Sequence, residues 1–238
     1  MLQAHSIDKN STQVSAMSEW FGDSSDGRIQ LGHSFAATTE RSLSAHEHVF
    51  LEGENQTHIH QVIDGVISVY KLLADGRRQI VGFHYPGDII GLDHVGSYEN
   101  HGEALCETRV RCIPVDAIDT LIMTEPGFGQ AMLQLLSTEL AETRDQLLSL
   151  GRKSAMEKLA TFLLRISRRN ARHGRDPLQL QLPMTRAEIA DYLGLTVETI
   201  SRNFTRLKLS AVIHLESNSA VRILDLDELE SVAEAHNE

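Results

Sequence analysis

The chain has 238 residues, 41% hydrophobic and 5% aromatic, enough for one large or two modest domains with cores of their own. Its 22 Lys and Arg stand against 33 Asp and Glu, a formal net charge of −11 that, taken whole, argues against a nucleic-acid partner. Two cysteines, Cys106 and Cys112, exclude a disulfide framework and fit a reducing cytoplasm, and no apolar run reaches membrane-spanning length. The expectation is therefore a soluble, cytoplasmic protein without a membrane partner.

Residues 1–19 carry Ser, Gln and Asn and no hydrophobic signal core, and are expected to form a loose tail. From about Trp20 to Cys112 the texture is β. Short apolar stretches such as Val66-Ile67-Ser68-Val69-Tyr70 and Ile80-Val81-Gly82-Phe83 are punctuated by glycines, with Asp75-Gly76 as a hairpin turn between two of them. Many short strands at regular spacing predict a sandwich or rolled barrel over residues 20–123.

His46-x-His48 and His58-x-His60 would each place two rings on one side of a strand, which resembles the metal site of cupin enzymes. That site also wants a Glu four or five residues after the second His and a Pro-Gly-x-x-His. Asp64-Gly65 and Pro86-Gly87-Asp88-Ile89-Ile90 miss both, so no metal is expected; surface or core histidines are the favoured account, with haem held by a roll histidine as an alternative.

From Phe128 the period changes. Leu133, Leu136, Leu140, Thr143, Leu147 and Leu150 alternate spacings of three and four, a heptad seam of about two and a half repeats. So short a seam also fits packing on its own β domain; the preferred expectation is a parallel homodimer over residues 124–151, with Gly151 as hinge. The helix that follows, roughly Ser154 to Asn170, should bury Leu159, Phe162, Leu163 and Ile166.

Residues 152–238 hold a helix-turn-helix pattern. Thr185 and Glu188 form a Thr-x-x-Glu capping box, Gly194 can end that helix in the left-handed conformation, and Thr196 can cap the next. On the second helix Ile200, Phe204 and Leu207 make a core stripe, while Glu198, Ser201, Arg202 and Thr205 make the opposite one. Arg202 can fork onto guanine O6 and N7, Glu198 can accept from cytosine N4, Ser201 is short and adaptable, and Val197 can meet a thymine methyl. A helical hairpin whose polar stripe faces water has the same pattern, and the local charge decides between them. Residues 1–149 hold 9 basic and 21 acidic residues, whereas residues 151–208 hold 12 basic and 5 acidic, net +7. That concentration is what phosphate neutralisation requires. Val212 to Leu215, a polar turn, and Ala220 to Leu224 read as strand, turn, strand, a wing.

A β-roll, a long dimer helix and a C-terminal winged helix, an α+β order covering nearly all of the chain beyond its tail, resemble the CRP/FNR superfamily of bacterial transcription regulators. The most specific piece, Val197-Glu198-Thr199-Ile200-Ser201-Arg202, is similar to the Glu-x-x-Ser-Arg signature of the FNR and FixK branch; the cyclic-AMP branch has Arg where Val197 stands and Gly where Ser201 stands. Leu72 to Ile80 and Gly82 to Gly91 are similar to the roll of the same branch. The resemblance implies that Glu198, Ser201 and Arg202 read TTGA half-sites in a TTGAT-N4-ATCAA palindrome and that Thr185, Arg186 and Thr196 touch phosphates. It also implies a partnership with RNA polymerase, in activation rather than repression, at microaerobic, respiratory or nitrogen-fixation genes. It implies no catalytic residue and no enzyme activity. The sensors of the best-known members are missing: no cysteine precedes Cys106, too few thiolates for an iron–sulfur cluster, and no Arg-Ser pair follows Gly91-Leu92-Asp93 to hold a cyclic phosphate. No cofactor is expected, as in FixK-type proteins.

Overall fold

A computed structural model describes residues 30–31, 34–35, 38–92, 96–124 and 126–234; the tail expected over residues 1–19 lies outside these. The fold is mixed α+β. Strands β1 (Gln30–Leu31) and β2 (Ser34–Phe35) pair antiparallel. Eight more strands follow: β3 (Thr39–Leu43), β4 (His48–Phe50), β5 (His58–Asp64), β6 (Ile67–Leu72), β7 (Arg78–His84), β8 (Ile89–Ile90), β9 (His101–Ala104) and β10 (Thr108–Pro114). They form two four-stranded sheets, β3-β10-β5-β8 and β4-β9-β6-β7. Asp75-Gly76 does turn the chain between β6 and β7, where the Leu73 amide donates to Arg77 O and the Gly76 amide to Leu73 O.

Strand alternation divides the roll's apolar residues into two cores. Val62, Val110 and Cys112 face inward with Leu43, Val49, Phe50, Ile67, Val69, Ile90, Tyr98 and Ala104. Ile59 and Ile113, which pair across β5 and β10, face outward against helices. Those helices are α1 (Val115–Thr124), which the β texture of this region did not disclose, and the first half of α2 (Pro126–Arg152). Ile118 and Leu121 from α1 and Phe128, Ala131, Met132 and Leu135 from α2 complete that core.

α2 therefore has two apolar faces. One is buried on the roll; on the other, Leu133, Leu136, Leu140 and Leu147 are 45% to 69% exposed. Gly151 is not the break that its position in the sequence led us to expect: α2 runs through it to Arg152, with the Lys153 amide still donating to Ser149 O. The helix ends one residue later because Ser154 takes an extended conformation and caps α3 (Ala155–Arg172), reciprocally with Glu157.

Two compact units result. One gathers the described residues up to Val69 with Phe83–Glu142; the other gathers Tyr70–Gly82 with Thr143–Glu238. In the second, α3 buries Leu159, Phe162, Leu163 and Ile166 as its periodicity requires. It is joined by β11 (Gln179–Gln181), α4 (Arg186–Leu193), α5 (Val197–Leu209), β12 (Ile213–Leu215), β13 (Ala220–Ile223) and α6 (Leu226–Glu234). The expected two-stranded wing is a three-stranded sheet, β11-β13-β12, because the short Gln179-Leu180-Gln181 strand pairs with β13. Three residues with one apolar position carry too weak an alternation to be read as a strand.

Candidate nucleic-acid interface

Three capping devices fix both ends of α4 and the start of α5. The Glu188 amide donates to Thr185 Oγ1 at 3.2 Å while the Thr185 amide donates to Glu188 Oε2 at 2.6 Å, so the first turn of α4 is closed on itself. Gly194 ends α4 at φ 63°, a conformation in which a Cβ would be strained, and the Leu195 amide reaches back to Ala190 O. Thr196 then caps α5 by accepting the Thr199 amide at 3.2 Å.

On α5 the two sequence stripes separate. Ile200, Phe204 and Leu207 are buried, whereas Glu198, Ser201, Arg202 and Thr205 are exposed along the opposite face and Val197 stands 41% exposed at the helix start. The carboxyl of Glu198 is held below the usual carboxylate range, first by its own backbone amide, then by the Thr196 hydroxyl and the Arg202 charge, so it stays an acceptor. Arg202 Nη2 makes one long contact, 3.4 Å to Thr199 Oγ1, leaving the rest of its fork for a partner. The Thr205 hydroxyl donates to Ser201 O, which draws it back onto the helix.

The three phosphate candidates are placed differently. Thr185 and Thr196 are exposed but engaged as caps, and the Thr185 hydroxyl also donates to Glu188 Oε2 at 2.9 Å. Arg186 lies with its guanidinium 3.3 Å above the centre of the Phe204 ring. Burial there lowers its pKa to about 10, still charged at neutral pH, and its Nη1 is buried without an acceptor. Of the seam residues, Thr143 is exposed with the four leucines, while Leu150 is half-buried beside Gly194, its Cδ2 3.6 Å from where a Cβ would stand.

Two features escaped the sequence reading. Asn203, on α5 between the two stripes, is buried at 6% exposure with no partner for its Nδ2; its helical spacing of three from Ile200 and four from Leu207 was the available signal. Arg78 and Gln79, from the roll's hairpin, reach α4: Arg78 Nε lies 3.3 Å from Asp191 Oδ2, Arg78 Nη2 3.6 Å from Glu188 Oε1, and Gln79 Nε2 donates to Asp191 O at 2.6 Å. No local pattern announces pairing over more than a hundred residues.

The histidine pairs do not make a metal site. His46 sits outside a strand at φ 68°, so His46 and His48 do not share a strand face as expected. His58 and His60 do lie on β5 with rings 6.3 Å apart, but His60 is buried against Phe50 and Tyr98. Among the described residues no group of three or more His, Cys, Asp or Glu is arranged to hold a metal ion, and no helix is long and apolar enough to cross a membrane.

Comparison with known proteins agrees with this geometry. Residues 157–232 match the Crp-like helix-turn-helix domain, and residues 40–125 match the cyclic nucleotide-binding domain. The chain is 38% identical over 193 residues to the nitrogen fixation regulation protein FixK of Bradyrhizobium diazoefficiens, covering 81% of each. It is also 38% identical over 183 residues to the fumarate and nitrate reduction regulatory protein of Escherichia coli K12, covering 73% of each. Its fold superposes on the structure of FixK2 from Bradyrhizobium japonicum with a TM-score of 0.78 and 34% identity, over 84% of this chain and all of that one. The chain belongs to the CRP/FNR superfamily of bacterial transcription regulators, and within it to the FixK type. It is a DNA-binding regulator and not an enzyme.

Proposed function

We propose that the chain acts as a homodimer that reads a TTGAT-N4-ATCAA-type palindrome and activates transcription by RNA polymerase, at cytoplasmic promoters of microaerobic, respiratory or nitrogen-fixation genes. The observation that carries the reading is the clean division of α5: core residues on one side, and Val197, Glu198, Ser201 and Arg202 exposed on the other. An α-helix fits the major groove, and a guanidinium fork beside an ionised carboxylate supplies a donor pair for guanine and an acceptor for cytosine. A homodimer built on the exposed face of α2, through Leu133, Leu136, Leu140, Thr143 and Leu147 with Leu150 at its end, presents two such helices to successive half-sites. Arg186 brings a half-buried cation to the first turn of α4, and Thr185 and Thr196 stand exposed at the starts of α4 and α5.

Neither a cyclic nucleotide nor an iron–sulfur cluster has a place in this reading. A cyclic phosphate needs cationic donors, yet β9 offers Gly102 and Glu103. Glu103 is a buried acid within 2.9 Å of His46 Nδ1, and a Cβ at Gly102 would stand 2.7 Å from Val49 Cγ1, so no longer side chain fits there without displacing its neighbours. The residues present do not fit that ligand. Two cysteines, one of them with its thiol pKa raised by burial, fall short of four thiolates.

Purified protein should bind the palindrome in air without added cyclic AMP, iron or reductant; a requirement for any of these overturns the ligand-independent reading. Arg202→Ala should cost about 1–3 kcal/mol per half-site and relax the choice of base at its contact. Unchanged discrimination against a palindrome with the G·C pair swapped would remove Arg202 from base reading.

A further inference from the structure

The second unit contains a cavity of about 440 Å³ that the base-reading face does not use. It opens on the third side of α5, where Asn203 and Arg206 meet the N-terminus of α3 and Val232 of α6. Its chemistry is one-sided. The capping box of α3 consumes the amides of Ser154 and Glu157, which leaves those of Ala155 and Met156 as the donors of the first turn of this 18-residue helix. Arg206 adds an exposed guanidinium. Asn203 lines the same wall, is more than nine-tenths buried, and has an Nδ2 with no acceptor. An unmet buried donor costs free energy that only an incoming acceptor or an ordered water recovers.

Helix amides, a guanidinium and an orphaned carboxamide donor border one cavity, a donor set suited to an oxyanion. Met156 and Val232 give the cavity an apolar side that a bare ion does not fill. Glu157 is the one acid in the wall. It already accepts the Ser154 amide at 2.7 Å, so the cationic side of the cavity is Arg206 and the helix N-terminus, which attract a phosphate monoester of charge about −1.5 to −2 more strongly than a singly charged sulfate ester.

We propose that this cavity binds a free, small phosphate monoester with an apolar stem, as an effector site on the DNA-binding unit separate from the operator contact. The test uses the full chain, with phenyl phosphate as the probe and calorimetry and ³¹P chemical shift as readouts. Saturable binding at one site per chain is expected, at least tenfold weaker in Arg206→Gln and in the near-isosteric Asn203→Asp, and weaker still for phenyl sulfate on the wild type. Circular dichroism and thermal melting establish that each variant is folded; Arg206 is exposed, so its variant keeps the test valid should a buried Asp unfold the protein. Binding should persist when the palindrome is already bound. Absence of saturable binding, wild-type affinity in both variants, equal affinity for phenyl sulfate, or loss of the probe on adding operator overturns the proposal, the last assigning the cradle to a backbone phosphate. Operator affinity of the untreated wild type is measured in parallel, so a failure of the DNA-reading assignment is seen separately.

Discussion

His60 shows how one side chain couples the roll interior to acidity. It is stacked on Phe50 with ring centres 5.7 Å apart, its Nε2 lies 3.2 Å from the Tyr98 hydroxyl, and its Nδ1 is buried without a partner. Burial first, then the charges of His58 and Arg41, lower its pKa from 6.5 to about 4. The folded protein thus holds it neutral while the unfolded chain takes up a proton as pH falls below 6.5. Stability is whole above that value and is lost on acidification towards about pH 4. Urea unfolding should show a loss of about 2 kcal/mol between neutral pH and about pH 5 that His60→Phe, which keeps the stack, abolishes. An identical pH profile in the variant would place the acid sensitivity elsewhere. At the same scale, Arg186 carries its charge on the face of Phe204, so Phe204 serves the core and also fixes a cation at the helix start.

α2 is the element in which sequence and structure inform each other most. Its heptad leucines were legible, but the same helix also carries Phe128, Ala131, Met132 and Leu135, an overlapping period that anchors it to the roll. Only three-dimensional placement assigns each leucine to a side. Because the exposed stripe is separate from the anchored one, Leu136→Glu with Leu140→Glu should leave each chain folded. Sedimentation should then fall from twice 26.5 kDa to 26.5 kDa and operator binding should weaken sharply. A doubly substituted protein that still sediments as a dimer would move the interface off this helix. The helix-turn-helix was read almost completely, since capping residues, a left-handed glycine and a three-to-four period are local signals. What was not legible was non-local or short: α1 behind the β texture, β11 with its three residues, and the end of α2. Gly151 looked like a hinge by residue type, but the break is set by Ser154 and Glu157, which make the stronger start signal three residues on.

Across the whole chain, charge is partitioned rather than averaged. The net −11 hides a segment, 151–208, with 12 basic and 5 acidic residues. One of these cations is neutralised in place, Arg168 by Glu230 at 3.1 Å, and beyond the segment Arg222 of the wing is neutralised by Glu216 at 3.1 Å. Exposed pairs of this kind exchange partners at little cost. Operator affinity should therefore fall linearly with log salt, by about −0.9 per phosphate neutralised, and Arg186→Ala should reduce that slope by about 1 per subunit while leaving base preference intact. A slope unchanged by the substitution would remove Arg186 from the backbone contact.

The grip of Arg78 and Gln79 on Asp191 bears on how the protein is dissected. A recombinant piece starting near residue 150 would contain every side chain proposed to read bases yet strand the carboxylates of Asp191 and Glu188 without their cation, at the helix that precedes α5. Trimming to the minimal DNA module thus removes a support that lies some 110 positions upstream along the polypeptide.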